Sequence, residues 1–149
     1  MVFKRTCHYG SMQSHEQRYE IQSKKPLEAL IVKQEEKEGF TLKWLRINGQ
    51  LEEPISALLL HRLKGPTGKL LLFLHGLNGM KEDLILLKEI AEAFEFSLFA
   101  IDARRHGERR RSLTAISPSD IIEGLSGTIA DNRLAIDVAL RNGWAENGK

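Results

Sequence analysis

Cysteine is nearly missing from this chain, and so is any long apolar run. The single thiol, Cys7, excludes an internal disulfide framework and suits a reducing compartment, so a cytoplasmic protein is expected. The longest strongly apolar run is Leu70–Leu74. A bilayer span needs roughly 20 residues, so no membrane helix is expected. The first thirty residues lack the apolar stretch of a signal peptide. An excess of one charge is lacking too. With 22 Lys and Arg against 20 Asp and Glu, the formal net charge of +2 gives little pull toward nucleic acid or acidic membranes. Internal repeats and low-complexity tracts are absent.

What is present suits one soluble domain with a proper core: 149 residues, 42% hydrophobic and 28% charged. Residues 1–25 are polar and unpatterned and are expected to be weakly ordered, leaving a domain over 26–149. "FTLKWLRIN" alternates through Phe40, Leu42 and Trp44, with Leu45 out of step, and closes at Asn48-Gly49, a turn signal. "ISALLLHRL" is a second strand, ending at Gly65-Pro66. "KLLLFLH" is a third, apolar enough to be covered on both faces. After Gly79 the spacing becomes helical, with Leu84, Leu87, Ala91 and Phe94 on one stripe and Lys81, Glu82 and Asp83 among the charges on the other faces. "FSLFAID" is a fourth strand, and a final helix is expected over Ile129–Arg141, capped by Asn142-Gly143. This order predicts an α/β protein: N-terminal strands, one right-handed βαβ crossover from 70 to 101 and a terminal helix. His75-Gly76 and Asp102-Ala103-Arg104 then fall at strand carboxyl ends, where such sheets gather functional groups.

Several motifs have a bland explanation that outweighs the functional one. "GPTGKL" lacks the spacing and the Ser or Thr of a phosphate loop and is expected to be a hairpin turn. "GLSGT" at 124–128 misplaces the second glycine of a nucleophile elbow. It reads better as a polar turn with Ser126 or Thr128 near a helix N-cap. Cys7, His8 and His15 are too few to hold a structural metal, and no metal or cofactor is expected. "RRHGERRR" places five arginines within Arg104–Arg111. Anion binding would suit that density, but a solvated loop is the stronger expectation because no aromatic platform accompanies it.

"LLLFLHGLNGMKED" followed by "FSLFAIDARRHGE" resembles the N-terminal half of an α/β-hydrolase of the esterase and dienelactone-hydrolase-like kind. The closing "DNRLAIDVALRNGW" resembles the helix before that family's nucleophile strand. The similarity covers about residues 40–144. It implies a partial α/β-hydrolase sheet. It also implies that the turn His75, Gly76, Leu77, Asn78, Gly79 is an oxyanion loop, with the Leu77 backbone N–H as a donor to developing negative charge. His75 would brace that loop rather than move protons. Asp102, Arg104, His106 and Gly107 would form the second strand-end loop. Arg105 stands where the family commonly has Gly, and Arg109 where Ser is common.

No G-x-S-x-G or G-x-C-x-G occurs. The expectation is therefore an N-terminal portion, truncated before the nucleophile elbow and inactive alone, whose parent hydrolyses small ester or acyl substrates. Its open sheet edge would invite self-association or the missing C-terminal half. The alternatives are a non-enzymatic interaction protein derived from the fold, and an anion-binding module using Arg104–Arg111.

Overall fold

The chain Lys37-Glu38-Gly39-Phe40 turns back on itself with positive φ at both central residues, 48° at Glu38 and 83° at Gly39. That is the tight turn whose twist matches an antiparallel hairpin. It joins β1 (Ala29–Lys37) to β2 (Phe40–Ile47) in register from Lys37↔Phe40. The computed structural model describes residues 28–48, 53–64, 68–110 and 118–146. β1 was not foreseen in the sequence, because its charged half, Lys33 to Lys37, has no apolar alternation. It is an edge strand, exposed along nearly all its length. Residues 1–25, with Cys7, His8 and His15, lie outside the described residues.

β3 (Ile55–Arg62), β4 (Leu70–Phe73) and β5 (Ser97–Ile101) complete a five-stranded mixed sheet in the order β1-β2-β3-β5-β4. β3 pairs antiparallel with β2 and β5, whereas β4 and β5 run parallel. This corrects one expectation. "GPTGKL" cannot be a hairpin turn, since β5 lies between the two strands it connects; its residues 65–67 are outside the described set.

Both faces of the sheet are covered. On one, Leu45, Ile47, Ile55, Ala57, Leu59, Phe99 and Ile101 pack against Ala135, Val138 and Ala139. On the other, Phe40, Leu42, Leu58, Leu60, Leu98 and Ala100 pack against Leu84 and Ala91. Each fully buried Leu, Ile, Val or Phe among them contributes about 1.5–3 kcal/mol. Leu45 is thus in step with Ile47 on the first face, opposite Phe40 and Leu42, and not an error in the pattern. The second layer begins as a 3-10 helix (Lys81–Leu87) and continues as α1 (Lys88–Ala93). Phe94, expected on its apolar stripe, follows the last helical turn and is 67% exposed.

The last helix, α2, runs Pro118–Arg141, eleven residues longer at its start than the sequence suggested. Pro118 opens it, as proline can at a position with no helical acceptor. "GLSGT" therefore lies inside the helix and is neither turn nor cap; the Thr128 hydroxyl donates back to the Gly124 carbonyl at 2.8 Å. The C-terminal cap is as expected. Gly143 has φ 67°, and Trp144 N–H returns to the Ala139 carbonyl at 2.9 Å. A 24-residue helix is about 36 Å long, against about 17 Å for the five residues of β5. Its first half therefore overhangs the sheet, leaving Ile121, Ile122, Leu125 and Ile129 exposed. Among the described residues no helix is long and apolar enough to cross a membrane.

Candidate functional site

Parallel neighbours β4 and β5 release their following loops at the same end of the sheet, side by side. After β4 comes His75-Gly76-Leu77-Asn78-Gly79, closed by Gly79 N–H donating to the Gly76 carbonyl at 3.0 Å. Asn78 supplies a left-handed residue with φ 66°, a conformation asparagine tolerates better than most. A Cβ at Gly79 would meet the Asp83 carboxylate at 2.8 Å and the His75 Cβ at 2.9 Å, so glycine is required there. Leu77 is 87% exposed, and among the described residues nothing accepts a hydrogen bond from its amide. The turn thus presents a free N–H at the carboxyl end of a strand.

His75 spans the two loops. Its Nε2 accepts the Ala103 amide at 3.0 Å and its Nδ1 lies 3.0 Å from the Gly76 carbonyl. Both contacts are met by a neutral ring carrying its proton on Nδ1. The His106 ring packs 5.2 Å away, with its Nδ1 3.0 Å from the Arg104 carbonyl.

The loop after β5 is fastened by charge. Asp102 is fully buried. Its Oδ1 accepts the Lys81 amide at 2.9 Å, and its Oδ2 accepts the Lys81 Nζ at 3.0 Å and the Glu108 amide at 3.1 Å. Lys81 is 1% exposed and also reaches Glu82 at 2.9 Å and Glu108 at 3.0 Å, using all three ammonium protons. Burial by itself would lower the Lys81 pKa. Hydrogen bonds to Glu82, Asp102 and Glu108 outweigh it and hold the pKa above the ordinary lysine value. The Glu108 carboxyl is held below its usual range, first by the Ser56 hydroxyl at 2.8 Å and then by Lys81. Gly107 has φ 52° and carries no Cβ because one there would strike the Asp102 carboxylate.

Among the described residues, Arg104, Arg105 and Arg109 are tied down by carboxylates and are not a solvated cluster. Asp131 of α2 takes Arg104 through Nε at 3.0 Å and Nη2 at 3.2 Å, and Arg109 through Nη1 at 2.8 Å. Arg105 donates to Asp120 at 2.8 Å and has φ 66°, so it occupies a backbone state that glycine enters most easily. Three of the five arginines therefore spend their charge on α2, which weighs against an anion-binding loop. Arg111 lies outside the described residues. Arg104 crosses α2 where Gly127 leaves room, since a Cβ there would collide with the guanidinium. The second glycine of "GLSGT" thus serves packing.

The sequence reading brought out His75 to Gly79 and Asp102 to Gly107, and the structure sets these groups against each other. It missed Lys81, Ser56 and Asp131. Lys81 reads as one more charge on a helix face, and only the fold shows that this face meets Asp102. Among the described residues no group of three or more His, Cys, Asp and Glu could hold a metal ion.

The mixed sheet, layered on both faces and carrying its loops at one end, defines an α/β architecture. No family model matches the chain, and none of the curated proteins does. Among solved structures it is similar to a cold-adapted esterase from an Arctic intertidal metagenomic library, determined as a complex with polyethylene glycol. The TM-score is 0.60 at 23% identity, over 76% of this chain and 50% of the esterase. The chain therefore spans about half the length of that neighbour.

Proposed function

We propose that this chain is the N-terminal portion of an esterase-like hydrolase, supplying an oxyanion-stabilising turn and inactive by itself. The observation that carries the proposal is the free Leu77 amide on a turn held by His75 against the adjacent loop, in a fold shared with an esterase. In acyl transfer the attacked carbonyl becomes a tetrahedral oxyanion, and a preorganised N–H at that point can be worth about 10²–10³ in rate. A backbone donor at Leu77 would fill such a role without a side chain taking part. His75 has both ring nitrogens engaged and so braces the turn. The nucleophile, acid and proton-carrying histidine would come from further polypeptide, acting on a carboxylic ester or related acyl substrate.

Assayed alone, residues 1–149 are expected to hydrolyse p-nitrophenyl acetate no faster than buffer. Turnover that survives Ser126→Ala would overturn the proposal, because Ser126 is the serine nearest to an elbow motif and sits on an exposed helical turn. The reading frame beyond the Lys149 codon is expected to encode G-x-S-x-G. An immediate stop codon would also overturn it.

A further inference from the structure

Arg109 is nearly enclosed, with its side chain 4% exposed. Its Nη1 donates to Asp131 at 2.8 Å and to the Asp102 carbonyl at 3.1 Å. Its Nε is buried and has no hydrogen-bond partner. Buried donors are nearly always paired, so a solitary one calls for a physical cause. Arg104 shows what the same donor can do, since its Nε and Nη2 together grip the Asp131 carboxylate.

Arg109 also lines a cavity of about 200 Å³, with Arg46, Glu53, Ser56, Glu108 and Arg110. Sheet order creates it. Arg46 of β2 stands opposite Ser56 of β3, and the Ser56 carbonyl accepts the Asp102 amide at 2.9 Å, which draws the loop after β5 to the same place. Arg46 and Arg110 are exposed, and among the described residues neither forms an ion pair. The two carboxylates of the wall are already engaged. Glu108 takes the Ser56 hydroxyl at 2.8 Å and the Lys81 ammonium at 3.0 Å, and Glu53 has a partner of its own. The Glu108 carboxyl is held low first by Ser56 and then by Lys81, with the Arg46 charge adding to both.

Charge, donor number and shape narrow the occupant. Three arginines from separate positions suit an anion with more than two acceptor oxygens. A phosphate group offers three, with a charge of about −1.5 to −2, whereas a carboxylate offers two. Among the described residues the wall holds no aromatic ring on which a base could stack, and a concavity of this size admits a small molecule rather than a polymer. Ser is common at the position of Arg109 in the family this chain resembles, so the feature belongs to this chain and not to the fold.

We propose that this cavity binds the phosphate group of a small molecule, with Arg109 on its floor and Arg46 and Arg110 at its rim. The assignment is independent of the esterase reading. A phosphate oxygen on the floor would supply the acceptor that Arg109 Nε lacks.

The test follows the full isotope-labelled chain by NMR near neutral pH, with ionic strength held constant by sodium chloride. Inorganic phosphate should shift the Arg109 Nε–H signal and the Ser56 and Arg110 amides saturably, with half-saturation at about 1 mM. Glycerol phosphate should bind at least as tightly, because the cavity has room for the body of a small ester. Arg46→Gln together with Arg110→Gln changes only exposed side chains and should weaken both ligands by at least about tenfold. Arg109→Lys keeps a charge for Asp131 while removing Nε, and should do the same. Shifts that never saturate, equal shifts on raising chloride alone, or unaltered binding in the double variant would overturn the proposal. So would exclusion of glycerol phosphate, saturation by acetate at the same concentration, or tighter binding of a DNA duplex at these signals.

Discussion

Two loops leave neighbouring parallel strands, and they are held in opposite ways. The loop after β5 is fixed by buried charge: Asp102 takes three hydrogen bonds, the Lys81 ammonium gives three, and Asp131 clamps two arginines onto α2. The turn after β4 has one internal backbone bond, a bracing histidine and an unengaged amide at Leu77. Under the proposed function, the loop after β5 would serve as a template and the open turn would keep its donor available. A preorganised donor needs both, since an amide left free must still be held in place.

The largest expected break is at the template. Asp102→Ala takes one of three carboxylates from a buried ammonium and strands two amides, and should cost about 3–5 kcal/mol in urea unfolding. Next is a reversal of sign at the loop–helix contact. Gly127→Ala would ordinarily stabilise a helix interior by about 1 kcal/mol. Here it forces Arg104 off Asp131 and should destabilise by roughly that amount. In an Arg104→Ala background the same change should stabilise, so a double-mutant cycle reads the contact directly.

A pH titration comes third. The Glu108 carboxyl is depressed in the fold, so its contribution is complete above the unfolded value of about 4.3 and is lost as pH falls through the depressed folded value. The Lys81 contribution is complete below about 10.4 and is lost as pH rises through its raised folded value. Urea midpoints should therefore drop at both ends, and Glu108→Gln should flatten the acid limb. The smallest effect belongs to the open turn. Leu77→Ala removes an exposed side chain and should move stability by no more than about 0.5 kcal/mol.

Much of this was legible in the residues. Period-two alternation located β2, short apolar runs located β3, β4 and β5, and helical spacing located the layer over Leu84 and Ala91. The two strand-end loops stood out because His-Gly and Asp-x-Arg interrupt apolar runs. β1 was hidden because an edge strand may be charged on both faces, which erases the alternation that reveals a strand. The first half of α2 was hidden because it overhangs the sheet: no partner there demands a stripe of a particular width, and its glycines resemble a turn. Lys81 was illegible for a third reason. A buried ion pair between residues 21 apart is set by strand order, and β5 comes to lie beside β4 only through the crossover.

The two tryptophans give this molecule an optical use. Trp44 lies on the face of the 3-10 helix, with its indole N–H 3.3 Å from Glu82 and the Lys33 ammonium 4.4 Å from its ring centre. Trp144 lies on the opposite face, edge-on to Phe99 at 6.0 Å. With no third tryptophan in the chain, Trp44→Phe and Trp144→Phe yield two single-emitter proteins, each reporting one layer. Fluorescence from the first follows the detachment of α2, and from the second the loosening of the Lys81 cluster, so the two layers can be watched coming apart separately or together.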